Sequence, residues 1–124
     1  MGRLVYFFDT YAFIEFIQGN LRYKQYFEKY QIATALFNLI ELFHNLLREF
    51  DLEKARYYYR QFKPYVVDID DDIIEKAMLF RLKNYKMGLS YVDCIGYCFA
   101  QEKNIKFLTG DGKFKDFDNV EFVK

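Results

Sequence analysis

Short apolar runs alternate with helical periods along this chain, and that alternation constrains the fold more than any other feature. Leu4-Val5-Tyr6-Phe7-Phe8 reads as a first strand, and residues 32–34, 65–69, 105–108 and 120–123 read as further strands. Helices fill the intervals. One starts at Thr10, with Ala12, Phe13, Phe16 and Ile17 on one face and Gly19 as its stop. Another spans residues 21–30. The clearest runs from about Ala35 to Phe50, where Leu36, Leu39, Ile40, Phe43, Leu46, Leu47 and Phe50 form an apolar stripe at spacings of three and four. Asp51 caps a helix that ends before Pro64, Asp70 to Asp72 open the next, and Ser90 caps the last, to about Lys103. Strands alternating with helices predict an α/β domain with a mainly parallel sheet.

Size and composition narrow the options. At 124 residues the chain is expected to form one compact domain, 1–124, and 52% apolar residues exclude disorder. Charges such as Arg22 and Lys24 interrupt every apolar stretch, so no membrane span is expected. The first nine residues lack the long apolar region and cleavage site of an export leader, which predicts a cytoplasmic protein. Cys94 and Cys98, four apart in an apolar helix without neighbouring histidines, read as buried free thiols rather than a zinc site. Eighteen basic and eighteen acidic residues cancel, so any grip on nucleic acid must come from local cations.

Four acids stand out by position. Asp9 follows the first strand, and Asp111 follows the strand Ile105-Lys106-Phe107-Leu108 in the turn Thr109-Gly110-Asp111. In an open parallel sheet, ligands bind past the carboxyl ends of the strands, where strand order reverses. Asp93 lies in the first turn of its helix, and helix N-termini in such a fold gather at the same edge. Glu41 lies off the stripe of its helix, a direction that fits a cleft wall or solvent. Each acid also has a purely structural reading: Asp9 as a helix cap, Asp93 as part of a capping box with Ser90, Asp111 as turn chemistry, Glu41 as a solvated helix residue. As a set, carboxylates with a single histidine, His44, favour a hard divalent cation, Mg²⁺ or Mn²⁺, and metal-assisted phosphodiester chemistry.

The ordered set resembles a known family. Phe8-Asp9-Thr10, Asn38-Leu39-Ile40-Glu41-Leu42, Val92-Asp93-Cys94-Ile95 and Leu108-Thr109-Gly110-Asp111-Gly112-Lys113-Phe114 look like the motifs of a PIN domain, over the whole chain, in the manner of VapC toxins. The resemblance implies a three-layer α/β/α sandwich in which Asp9, Glu41, Asp93 and Asp111 are the metal-binding and catalytic acids. It implies endoribonuclease activity on RNA, an antitoxin partner, and hydroxyls from Thr10 and Thr109 beside the site. Gly96 stands in a helix more often rich in alanine, where it would permit close packing.

Other readings stay open at this stage: a housekeeping RNA-processing nuclease, or a catalytically silent scaffold. A haloacid-dehalogenase-type phosphohydrolase would need a second Asp where Tyr11 stands. Lys113, Lys115, Arg81, Lys83 and Lys86 are candidates for substrate phosphates. Of Tyr57-Tyr58-Tyr59, at most one can line a groove. Phe and Tyr make up 22% of the chain, which predicts a homodimer through aromatic surface on the early helices: Tyr11, Phe16, Tyr23, Tyr26, Phe27 and Tyr30.

Overall fold

The computed structural model describes residues 4–124, and the leader-peptide reading lies partly on residues outside that range. Its centre is a five-stranded sheet, β1 (Val5–Phe8), β2 (Gln31–Ala35), β3 (Val66–Val67), β4 (Lys106–Thr109) and β5 (Val120–Phe122). The order is β3-β2-β1-β4-β5 and every pairing is parallel. β1 is central because it can be buried on both sides. Phe7 faces one layer while Tyr6 and Phe8 face the other, as the two-residue period of a strand requires.

Helices α1 (Thr10–Ile17), α2 (Leu21–Lys29), α3 (Leu36–Glu49) and α4 (Leu52–Phe62) supply the core with Tyr6, Phe8 and Leu108. Helices α5 (Asp71–Lys83) and α6 (Tyr91–Glu102) supply the core with Phe7, Ala33 and Phe107 on the opposite face. The result is the expected three-layer α/β/α sandwich. Gly96 sets the depth of α6: a Cβ there would stand 2.6 Å from Phe7 Cε1 and 3.2 Å from Phe107 Cε1. Glycine lets the helix backbone rest directly on the sheet.

Three sequence readings are corrected. Residues 65–69 do not form a full strand. Lys63–Tyr65 continue as a 3-10 turn around Pro64, and only Val66 and Val67 pair, at the sheet edge. The stripe of α3 is only half covered: Leu39 and Leu46 are buried along with Leu42, while Leu36, Ile40, Leu47 and Phe50 are exposed. Periodicity shows that a helix has an apolar face, not that the same chain covers all of it.

The third correction concerns the early aromatics, none of which lies free on the surface. Tyr23 is fully buried and its hydroxyl donates to the Val123 carbonyl; the Tyr26 hydroxyl bonds Glu121. Phe16 stacks on Phe27 at 4.4 Å, Phe27 meets Phe62 and Tyr65, and Tyr30 meets Tyr6. Tyr11 packs on Tyr23. Tyr23 belongs to the core of one layer and the other five rings pack against that core. Tyr58 and Tyr59 likewise pack on Phe62 and Phe43, leaving Tyr57 exposed.

Candidate active site

The chain winds from β1 outward through β2 to β3, then returns to add β4 on the other side of β1. Strand order therefore reverses between β1 and β4, and the crevice at their carboxyl ends is where an open parallel sheet binds ligands. Asp9 follows β1 directly, with its N–H reaching the Leu108 carbonyl of β4. Asp111 lies two residues past β4. α6 brings Asp93 in its first turn, and α3, which starts directly after β2, brings Glu41 in its second.

The cap reading and the site reading of these acids turn out to be compatible. Asp9 Oδ1 accepts from the Ala12 N–H at 2.7 Å, so Asp9 caps α1. Asp93 Oδ2 accepts from the Ser90 N–H at 3.1 Å while the Ser90 hydroxyl accepts from the Asp93 N–H, closing a capping box. Asp111 Oδ1 accepts from the Lys113 N–H at 3.0 Å and opens the 3-10 turn Gly112–Phe114. In each of the three, one oxygen fixes the carboxylate to a backbone N–H, so the cap sets where the acid stands.

Electrostatics couples the set. Burial pushes the Asp9 carboxyl up to about 8; the Thr109 hydroxyl and Ala12 N–H oppose this, and Asp93 and Asp111 push it further. Burial also raises Asp93, against its bonds to Ser90, with Asp111 raising it and Lys113 lowering it. Glu41 is raised by burial, lowered by the Thr10 hydroxyl and raised by Asp93. Asp93 thus lies in the field of each of the other three. As the side chains stand, no three His, Cys, Asp or Glu residues among those described close to ligating distance of one point. Asp9, Asp93 and Asp111 each keep one oxygen on a backbone N–H.

A family model described as PIN domain matches residues 6–120. The chain belongs to the PIN-domain family. No curated protein sequence matched. Solved structures share the fold at low identity. The VapC20 toxin of Mycobacterium tuberculosis, described as a sarcin–ricin loop cleaving toxin, has a TM-score of 0.80 at 20% identity, covering 96% of this chain and 99% of that one. VapBC2 from Rickettsia felis, bound to a promoter DNA fragment, gives 0.77 at 17%, covering 98% and 100%. A toxin–antitoxin complex from Klebsiella pneumoniae gives 0.72 at 23%, covering 93% and 94%.

Several residues of this PIN domain carry roles that pattern reading did not assign. Asn38 is buried one helical turn before Glu41; its Nδ2 donates to Thr10 Oγ1 at 3.3 Å and its Oδ1 has no partner. Its signal in the sequence was an amide on an otherwise apolar helix face. The buried Thr34 hydroxyl donates to the Phe8 carbonyl at 3.0 Å, tying β2 to the residue before Asp9. A Cβ on Gly110 would fall 2.5 Å from the Val123 carbonyl and 2.8 Å from the Tyr23 hydroxyl, so only glycine lets the chain turn there into Asp111.

The donor set fits a hard cation. It consists of carboxylates, the Thr10 and Thr109 hydroxyls, and the orphaned Asn38 Oδ1, all oxygen. His44 is exposed on α3. Cys94 and Cys98 are buried in the core of the α5–α6 layer as free thiols, and burial pushes them up to about 12 and about 11.

Proposed function

We infer that this PIN domain, read as a single unit over 1–124, is a divalent-metal-dependent endoribonuclease of the VapC kind. What supports the reading is that Asp9, Glu41, Asp93 and Asp111 stand on four separate elements around the switch point of the sheet, with Asp93 in electrostatic reach of the other three. Asp9, Asp93 and Glu41 have raised proton affinity, and Asp9, Asp93 and Asp111 are held in place by their own caps. Such a site is relieved by a cation, and Mg²⁺ or Mn²⁺ is the match for an all-oxygen set.

Asp9 and Asp93 would hold the ion most directly, with Asp111 and Glu41 completing the site directly or through water. When bound, the ion supplies an activated water and neutralises charge on the phosphate oxygens. The chain's own residues do the positioning. Ala12 and Ser90 N–H groups aim Asp9 and Asp93. Thr109 Oγ1 accepts from the Asp111 N–H at 3.1 Å and fixes the turn on which that acid sits. The deciding experiment is RNA cleavage by purified protein with Mg²⁺, Mn²⁺ or chelator. Cleavage that needs the metal and is lost in Asp9→Asn supports the nuclease; no metal-dependent cleavage of any RNA tested favours a silent scaffold.

An antitoxin partner belongs to the same reading. A groove lined by Ile14, Ile17, Leu46 and Phe50, with Gln18, Asn45 and Glu49 along it, runs between α1 and α3, beginning one turn beyond Thr10 and Glu41. An extended apolar tail in that groove would bring a following Arg to the acids, where its planar fork pairs two carboxylates. Growth arrest by wild type and none by Asp93→Asn, each expressed without a partner, would support a toxin; harmless expression of both would not. A homodimer is also part of the proposal, with its surface moved from the early helices to the exposed Leu36, Ile40 and Leu47 of α3. A monomer in sedimentation at micromolar concentration would remove it. Among the described residues no helix is long and apolar enough to cross a membrane.

A further inference from the structure

We propose that Tyr91, Arg81 and Lys113 form a binding site for single-stranded RNA at the rim of the acidic crevice, with a base stacked on Tyr91 and flanking phosphates held by the two cations. This rests on the nuclease reading and specifies how its substrate is held.

The loop before α6 carries the argument. Its consecutive carbonyls at Gly88 and Leu89 accept from two cations: Lys113 Nζ at 3.2 Å and Arg81 Nε at 2.9 Å. Both partners are neutral. The only salt bridge among the described residues joins Lys76 and Glu102, so neither cation is spent on a carboxylate. Arg81 is anchored through Nε, which leaves the two Nη groups of its fork for a planar acceptor such as phosphate. Its guanidinium lies 4.4 Å from the centre of the Tyr91 ring. Tyr91 is 60% exposed, opens α6, and stands two residues before Asp93. Lys113 stands two residues after Asp111. Tyr91 and Lys113 therefore stand on the two turns that present Asp93 and Asp111, and Arg81 reaches the loop before one of them from α5.

A lone exposed tyrosine is unremarkable on a protein surface. Here the ring is backed by an anchored guanidinium and is 60% exposed, and a second, looser aromatic–cation pair lies nearby in sequence. Tyr85, also exposed, has Lys86 Nζ 5.9 Å from its ring centre, beyond the C-terminal end of α5. Aromatic platforms interleaved with cations are how proteins hold single strands, since unpaired bases offer their faces and a duplex hides them. The charge balance points the same way. With no net positive charge, the protein cannot draw RNA to an acidic crevice by bulk attraction, so unpaired cations at its rim must do it.

The test uses the Asp9→Asn protein, whose amide oxygen can still accept from the Ala12 N–H, and a fluorescein-labelled oligouridylate, free or paired with oligoadenylate, read by anisotropy. Tyr91→Ala should weaken binding of the free strand about tenfold, while Tyr91→Phe keeps the ring and stays within about twofold. Lys113→Ala should lower the slope of log affinity against log salt by about 0.7. Tyr91→Ala should leave duplex binding unchanged. Equal affinity of Tyr91→Ala and the Asp9→Asn parent for the free strand overturns the proposal and leaves the platform to a protein partner. In that case metal-dependent cleavage by wild type still upholds the nuclease. No RNA binding and no cleavage by wild type removes both.

Discussion

The two helices that bring acids to the crevice from opposite layers are held in opposite ways. α6, with Asp93, is enclosed: residues 94–100 are all buried, and Gly96 seats its backbone on Phe7 and Phe107. α3, with Glu41, is covered on one side only and leaves Leu36, Ile40 and Leu47 exposed on the other. Asp93 is thus carried by a helix seated in the core and aimed by its capping box with Ser90. Glu41 is positioned by a helix with an apolar face still to be covered. One acid reports on this chain's folding; the other lies on an element that a second surface can reach.

The comparison is broken most directly at the acids themselves. Asp93→Asn keeps the Ser90 cap through its remaining oxygen yet removes a charge that faces all three other acids. It should lower metal-dependent RNA cleavage more than about a hundredfold, beyond the range known for groups one layer out from a metal. Glu41→Gln should cost less, and equal losses in the two variants would erase the distinction between the helices.

Next in size is the effect of pH on the metal-free protein. Asp9 is raised when folded, from 3.8 to about 8, so its favourable contribution is complete below the ordinary aspartate range and is lost as pH rises to about 8. The loss should reach several kcal/mol, at about 1.4 kcal/mol for each tenfold change in proton affinity. Chemical denaturation between pH 4 and pH 8 in chelator should show it, and Asp9→Asn should flatten the profile and be the more stable protein at neutral pH. A flat wild-type profile would remove the buried-charge account of Asp9.

Smaller effects separate the helices by packing. Gly96→Ala gains about 1 kcal/mol in helix propensity, but its Cβ meets the fully buried Phe7, and overpacking costs about 1–3 kcal/mol. A net fall in melting temperature together with weaker Mn²⁺ binding is expected, because lifting α6 also lifts Asp93. Ile40→Asp or Leu47→Asp on α3 should change monomer stability by no more than about 0.5 kcal/mol, as exposed substitutions do. They should nonetheless shift sedimentation from dimer to monomer. An unchanged sedimentation profile would return the dimer surface to the unknown.

How much of this was legible beforehand follows from what each signal measures. The strand ends at Asp9 and Asp111 and the cap at Ser90 are local features, so the acids could be placed on one sheet edge from residue order alone. β3 was overread because Val66 and Val67 follow a proline turn, and edge pairing of two residues leaves almost no periodic trace. The early aromatics were misjudged because composition counts rings without showing that α1, α2 and α4 stack theirs on one another. Asn38 and Gly110 act through neighbours distant in sequence, Thr10 for the first and Val123 for the second, which no local window contains.

Strand order also decides when this chain can acquire its chemistry. Phe8 pairs with Leu108 across the whole intervening chain, so the wall that carries Asp111 exists only after β4 has docked beside β1. Such a contact closes a long loop and is among the slower steps of folding. During synthesis, Asp9 and Glu41 emerge first and wait without their partners. On the nuclease reading proposed above, a growing polypeptide could not cut the RNA around it until β4 has docked and Asp111 stands beside β1. The order of strands acts as a built-in delay.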